Sequence, residues 1–137
     1  MLVGIGFKEV EIGFPAASRE EFSFCRNLIE RNLIPDDVTV SVLTQARDHV
    51  IRKTMAAMKG IKKACCHIYI PTSELHTKYV LRESRNQVVK RVISSVGLVR
   101  SLAEDMESDI CLEFSPEEFT DTDLDFSVDL CDAVVDA

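Results

Sequence analysis

The sequence predicts an α/β fold in which parallel β-strands are joined by α-helices. Four short runs rich in Val, Ile, Leu and Cys alternate with longer stretches of helical periodicity along the 137 residues. Three of these four runs are apolar at consecutive positions, which is typical of strands covered on both faces. Because connections between parallel strands are right-handed in nearly all proteins, four consecutive units are expected to form a doubly wound sheet or an arc of a barrel.

The four predicted strands cover residues 8–13, 38–43, 63–69 and 109–114. Prolines at positions 15, 71 and 116 follow three of these strands and are expected to end them, since proline has no backbone N–H to offer a sheet. The longest gap follows the third strand. Its first part, residues 70–82, is too long for a tight turn, so we expect an excursion near the active site with a short helical segment of its own.

Capping-box spacing predicts where the helices begin. Ser18 with Glu21 and Ser84 with Gln87 have this spacing, and Thr122 with Asp125 is a weaker version. Within the predicted helices, stripes of apolar side chains are expected to pack on the sheet. A final helix is expected over residues 124–137. The stripes are Phe22, Cys25, Leu28 and Ile29; Ile51, Met55 and Met58, ended by Gly60; and Val88, Val89, Val92, Ile93, Val96 and Val99.

Composition excludes several classes of function. With 23 acidic and 16 basic side chains, the net charge of -7 has the wrong sign for binding nucleic acid or an anionic membrane. No apolar run approaches the roughly 20 residues of a membrane span, and Lys8 interrupts any signal-peptide core.

The 5 cysteines form no C-x-x-C pair, so we expect reduced, mostly buried thiols. A cytoplasmic location is expected, or an organelle if a targeting segment is missing.

Candidate functional residues lie near the carboxyl ends of the strands, where parallel α/β folds bind their ligands. His67 sits inside an apolar strand and is either a hydrogen-bonded core residue or a group that faces a ligand. Glu113 and Glu117 flank a strand end, where a carboxyl group could act as general acid or base, although each alone is better explained as a solvated or capping residue. His49 and His76 lie among polar residues and are expected at the surface.

Five ordered blocks of sequence carry a family resemblance. They are GFKEVEIGFP (6–15) with Ala17-Ser18, IPDDV (34–38), LTQAR (43–47), HIY (67–69) with Thr72-Ser73, and EFSPE (113–117). In order and spacing these blocks resemble the 2-isopropylmalate synthases, which belong to a metal-dependent acyl-transfer family that includes homocitrate and citramalate synthases. The resemblance extends over essentially the whole chain.

The resemblance implies a partial TIM (β/α)8 barrel of about four parallel β-strand/α-helix units, corresponding to family strands 2 to 5. Residues 1–137 would then be a single partial catalytic-barrel domain that lacks the first strand and the C-terminal strands. A complete barrel takes about 250 residues.

The resemblance also implies a reaction. Acetyl-CoA condenses with 2-oxoisovalerate to give 2-isopropylmalate in leucine biosynthesis, while a divalent cation (Mg, Mn or Zn) holds the keto acid and polarises its ketone. Carried over block by block, Leu43, His67, Tyr69 and Ser115 would bind the keto acid, and Glu117 would be the catalytic carboxylate.

Two family features are absent from this sequence. The family binds its metal through the aspartate of an Arg-Asp pair on the first strand and through a later His-x-His pair. The only Arg-Asp here, Arg47-Asp48, belongs to a later block, and His49 is adjacent rather than spaced as a ligand pair. No metal ligands are therefore predicted in this chain, and the isolated chain is expected to be inactive. Ile70-Pro71 replaces a polar pair of many relatives, which leaves the side-chain contacts of that loop open.

Two alternatives remain open at this point. One is a related acyltransferase that uses another 2-oxo acid, as homocitrate or citramalate synthase does; a pocket distinguishes one methylene by only about 1–3 kcal/mol. The Gly-Phe-Pro-x-Ala-Ser pattern at 13–18 favours the isopropylmalate branch. The other is a non-catalytic α/β assembly module, in which the unpaired edges of the barrel arc join copies into a homo-oligomer.

Overall fold

The computed structural model describes residues 1–137 and contains one parallel sheet whose 4 strands lie in the order β1-β2-β3-β4. The strands are β1 (Glu9–Glu11), β2 (Thr39–Gln45), β3 (Lys63–Pro71) and β4 (Asp109–Glu117). The helices are α1 (Arg19–Glu30), α2 (Asp48–Met58), α3 (Arg85–Glu104) and α4 (Leu124–Asp136). This alternation confirms the predicted α/β class, and because each strand pairs with its neighbour in sequence, the units form the arc expected of a partial barrel.

The hydrophobic core lies between the sheet and its helices. Side chains at alternate positions of β2 and β3 point into this core, including Val42 and Ile68, and both are fully buried. On α2, the stripe of Ile51, Met55 and Met58 is buried as predicted. Neighbouring helices contact one another in chain order, which places them on the same side of the sheet. None of these helices combines the length and the apolar character that a membrane crossing requires.

Two predicted helix caps are confirmed and one is wrong. The Ser18 hydroxyl accepts a hydrogen bond from the Glu21 N–H at 3.1 Å, and Ser84 with Gln87 forms a complete capping box at the start of α3. Helix α4 is capped by Asp123, whose carboxylate accepts from a backbone N–H at 2.9 Å. Thr122 does not cap this helix because its hydroxyl donates instead to the Glu118 carbonyl, 2.9 Å away.

The strand ends differ from the prediction at two prolines. Pro71 is the last residue of β3, and Pro116 lies inside β4, opposite Ile70. Neither proline therefore follows its strand. A proline is tolerated in β4 because this is an edge strand, which has a neighbour on one side only. The expected helical segment after β3 is present as a π-helix, His76–Leu81.

Gly13 gives a stability prediction at the loop that follows β1. Its backbone has a φ of 110°, and a Cβ added there would lie 2.6 Å from a carboxylate oxygen of Glu21. We expect Gly13→Ala to lower the free energy of unfolding by about 1–3 kcal/mol in urea denaturation. Gly97 is the matched control. It lies within α3 with nothing within 4 Å of an added Cβ, so Gly97→Ala should stabilise the chain by about 0.5–1 kcal/mol. Equal effects at both glycines would contradict this interpretation.

Candidate active site

The face of the sheet opposite the helices is not covered by the chain. Along each strand, the residues that alternate with the core positions point to this open face, and all of them except the buried Cys65 are half-buried or exposed. The open face carries five carboxylates and one lysine, so its net charge is negative. The open-face residues are Glu9 and Glu11; Thr39, Ser41, Leu43 and Gln45; Lys63, Cys65, His67 and Tyr69; and Asp109, Cys111, Glu113, Ser115 and Glu117.

His67 is the hydrogen-bonded centre of the open face. Its Nε2 lies 2.7 Å from the Ser115 hydroxyl and 3.8 Å from a Glu113 carboxylate oxygen. Its Nδ1 lies 3.4 Å from a carboxylate oxygen of Glu11. With the proton on Nδ1, the ring donates to Glu11 and accepts the hydrogen bond that Ser115 donates. The imidazole thus faces the open side of the sheet and links three of the four strands.

Leu43 and Tyr69 flank this histidine. Leu43 is the Cα partner of His67 across β2 and β3, and Tyr69 is the partner of Ser115 across β3 and β4. The Tyr69 ring meets Phe14 edge to face, with centroids 6.2 Å apart and planes at 78°. The loop after β1 therefore supports the tyrosine, and the sheet sets an apolar side chain and an aromatic ring beside the imidazole.

Glu117 ends β4 at the carboxyl edge of the sheet. It is exposed and, by strand alternation, lies on the same face as Ser115 and Glu113. Its backbone carbonyl accepts hydrogen bonds from both the N–H of Thr72, at 3.1 Å, and the Thr72 hydroxyl, at 3.0 Å. The residue after β3 thus holds the backbone of Glu117 in place.

The structure brings the predicted site residues onto one face. Four of them, Leu43, His67, Tyr69 and Ser115, occupy adjacent positions, and Glu117 lies at the rim. Their roles remain predictions. Sequence reasoning missed Glu11, although its alternation with the core-facing Val10 could have placed it on the open face.

The two other histidines have different outcomes. His49 is exposed, as predicted. His76 is half-buried and not fully exposed: its side chain is 31% exposed, and its Nδ1 lies 2.5 Å from a carboxylate oxygen of Glu118. That partner is distant in sequence, so local polarity gave no signal for the pairing.

The cysteines are all free, and Cys25, Cys65 and Cys66 are buried. Burial raises the pKa of the Cys66 thiol to about 12, with a smaller contribution from the Cys111 thiol. Burial also raises the pKa of Cys65, and neighbouring Cys111 and Glu113 add to that increase. Both thiols are therefore neutral at physiological pH, and since the thiolate is the nucleophile, neither is prepared for nucleophilic chemistry.

The raised pKa of Cys66 predicts a loss of stability at alkaline pH. The folded state holds this proton more tightly than the unfolded state, whose thiol has the ordinary value of 9.0. This contribution is therefore complete below about pH 9 and falls as pH rises towards 12. We expect the unfolding free energy to decline over this interval, with a smaller slope in Cys66→Ala. Cys131→Ala, a half-buried thiol on α4, is the control. An unchanged slope in Cys66→Ala would contradict the assignment.

No group of three or more His, Cys, Asp or Glu side chains is arranged to hold a metal ion. On the open face, His67 is already bonded to Glu11 and Ser115, and the carboxylates of Glu113 and Glu117 are separated along β4. These residues alone do not fit a divalent cation. The chemistry they offer is hydrogen bonding and proton transfer.

Comparison with known proteins then assigns the family. A model of the HMGL-like family matches residues 1–137, the whole chain. The chain belongs to the HMGL-like family. HMGL-like domains are TIM barrels, so the four parallel units of this member form a partial barrel, as predicted.

Several relatives of this HMGL-like chain are named 2-isopropylmalate synthase. The Desulfitobacterium hafniense protein is 48% identical over 136 residues, which is 99% of this chain and 24% of the relative. The Clostridium acetobutylicum protein is 48% identical over 138 residues, covering 98% and 25%. The Bifidobacterium longum subsp. infantis protein is 45% identical over 136 residues, covering 98% and 21%. The chain thus spans about a quarter of the length of these curated relatives and is similar to an acyltransferase-like enzyme family.

Proposed function

We propose that the chain forms four β/α units of the catalytic barrel of a 2-isopropylmalate synthase, which condenses acetyl-CoA with 2-oxoisovalerate in leucine biosynthesis. The names of the relatives and the 48% identity to two of them support this proposal. One observation carries it: Leu43, His67, Tyr69 and Ser115 lie side by side on the open face of the sheet. We also propose a cytoplasmic location, which the free cysteines support.

In this proposal the chain binds and orients the keto acid. Ser115 and His67 present a hydroxyl and an imidazole that can hydrogen-bond to carboxylate and carbonyl oxygens. Leu43 and Tyr69 lie beside them and suit the branched apolar end of 2-oxoisovalerate. Glu117, at the rim of the same face, would move a proton at the reacting carbons.

The charge of the open face supports the proposal that this HMGL-like chain does not work alone. An anionic keto acid needs a positive charge, whereas five carboxylates and one lysine occupy this face. In the family, a divalent cation supplies that charge and polarises the ketone. This sequence has no His-x-His pair, and its one Arg-Asp pair, Arg47-Asp48, does not correspond to the metal-binding pair of the family's first strand. We therefore propose that the isolated chain is inactive and that the remainder of a barrel is required.

A segment exchange tests the proposed function. The corresponding segment of the Desulfitobacterium hafniense relative is replaced by residues 1–137 of this chain, and free CoA is measured with acetyl-CoA, Mg²⁺ and a keto acid. We expect turnover with 2-oxoisovalerate in preference to pyruvate or 2-oxoglutarate. The isolated chain under the same conditions should release no CoA. A folded chimera without turnover would overturn the proposal, and a preference for another keto acid would favour a related acyltransferase.

A non-catalytic assembly module is the second candidate, and the edges of the sheet favour it. Strands β1 and β4 each have one unpaired edge. An apolar groove of about 270 Å³ lies beside β1, lined by Val10 and Ile12, and one of about 500 Å³ lies beside β4, lined by Leu112 and Phe114. Size-exclusion chromatography with light scattering would show a homo-oligomer. A compact, monodisperse monomer would count against this candidate.

A further inference from the structure

A polar cluster outside the open face joins the segment after β3 to the end of β4. Its members are Ser73, His76 and Glu118. One Glu118 carboxylate oxygen accepts a hydrogen bond from the buried Ser73 hydroxyl and lies 2.5 Å from Nδ1 of His76. The Ser73 hydroxyl also lies 3.3 Å from the same Nδ1 and accepts the backbone N–H of His76 at 3.3 Å. The ring and the hydroxyl therefore hold the carboxylate from two sides.

Glu118 has a backbone conformation that is uncommon for a glutamate. Its φ of 60° and ψ of 41° are left-handed, a region that glycine enters most readily. A glutamate remains there only when its surroundings hold it. The carboxylate contacts with His76 and Ser73 provide such a hold, because hydrogen bonds to a carboxylate are stronger than those between two neutral groups.

The peptide units on both sides of Glu118 are fixed as well. Its carbonyl accepts the Thr122 hydroxyl at 2.9 Å, and the preceding carbonyl, that of Glu117, accepts both the N–H and the hydroxyl of Thr72. The two threonine hydroxyls lie 2.7 Å apart. These hydrogen bonds hold the backbone at Glu117 and Glu118. Glu117 is the exposed carboxylate at the end of β4, so its backbone is fixed by this turn.

We propose that Glu118, held by His76 and Ser73, is a positioning residue that fixes the end of β4 and thereby the direction of the Glu117 side chain. This inference rests on the proposed function only in that Glu117 is the group to be positioned. Glu118 itself does not lie on the open face and would touch no substrate. The carboxylate of Glu118, and not only the left-handed conformation of its backbone, fixes the end of β4.

Amide hydrogen exchange in the full chain tests the structural half of this inference. The reporter is the Thr72 N–H, which donates to the Glu117 carbonyl. We expect Glu118→Gln and Glu118→Gly to speed its exchange about tenfold, because both remove the charged acceptor. Glycine suits the left-handed turn, so unchanged or slower exchange in Glu118→Gly would overturn the inference. Glu74→Gln, an exposed carboxylate in the same segment, is the control and should leave exchange unchanged.

Kinetics of the chimera test the functional half. We expect Glu118→Gly to lower kcat at least about tenfold with little change in KM for 2-oxoisovalerate, because the residue acts through Glu117 and not through binding. Wild-type kcat in Glu118→Gly beside a large loss in Glu117→Gln would overturn the positioning role and leave the proposed function standing. No effect of Glu117→Gln would overturn the catalytic role of Glu117, while the exchange experiment would still decide whether Glu118 fixes the turn.

Discussion

Replacing Glu117 with glutamine in the active chimera is expected to lower kcat by about 10²–10⁴-fold, the usual contribution of a general acid or base. Glutamine keeps the size of the side chain but cannot accept or donate the proton. The KM for 2-oxoisovalerate should change little, because the binding residues Leu43, His67, Tyr69 and Ser115 are untouched. Steady-state CoA release at saturating acetyl-CoA measures both constants.

Glu9 supplies the matched control for this prediction. It is an exposed carboxylate on the same open face but at the amino end of β1, away from the rim that Glu117 occupies. Glu9→Gln should retain the kcat of the chimera. A similar loss in both variants would show that the charge of the face, and not Glu117 in particular, determines the rate.

Truncating Ile68 to alanine is expected to have the largest effect on stability. Ile68 is fully buried near the middle of β3, which pairs with strands on both sides. The lost burial and the cavity that remains should lower the free energy of unfolding by about 2–5 kcal/mol. Urea denaturation measures this change as a lower midpoint at constant slope.

Two further variants keep the stability prediction testable if Ile68→Ala fails to fold. Ile68→Val should cost only about 0.5–1.5 kcal/mol, since it removes one methylene. Ile93→Ala is the control on α3, where the side chain is 39% exposed, and it should cost less than the buried truncation. Equal losses at positions 68 and 93 would contradict the assigned core.

The α/β class could be predicted from the sequence because it depends on local patterns. Apolar runs, capping boxes and helical stripes are each contained within a few residues, and the strands and helices formed at those places. The strand ends were less accurate. Strand β3 extends to Pro71 and β4 to Glu117, because these two residues pair with each other across the sheet. Such pairing cannot be seen in a local sequence pattern.

The candidate site, like the strand ends, could be predicted from the sequence only in part. The family resemblance of the sequence blocks pointed to Leu43, His67, Tyr69 and Ser115, and the parallel register brings these residues together. Glu11 and the partner of His76 were missed because they lie far away in sequence. Glu11 is 56 positions from His67, and helix α3 lies between His76 and Glu118 along the chain. Such contacts follow from the topology of the sheet and not from the spacing of residues along the chain.

The most direct test of the keto-acid face is a crystal structure of the chimera with 2-oxoisovalerate bound. The ligand is expected over the open face, with one of its oxygens within about 3 Å of the Ser115 hydroxyl, which donates to it, and with the His67 ring beside it. The Glu117 carboxylate should face the ketone carbon. A keto acid bound elsewhere in the barrel, with His67 still hydrogen-bonded only to Ser115 and Glu11, would contradict the proposed role of this face.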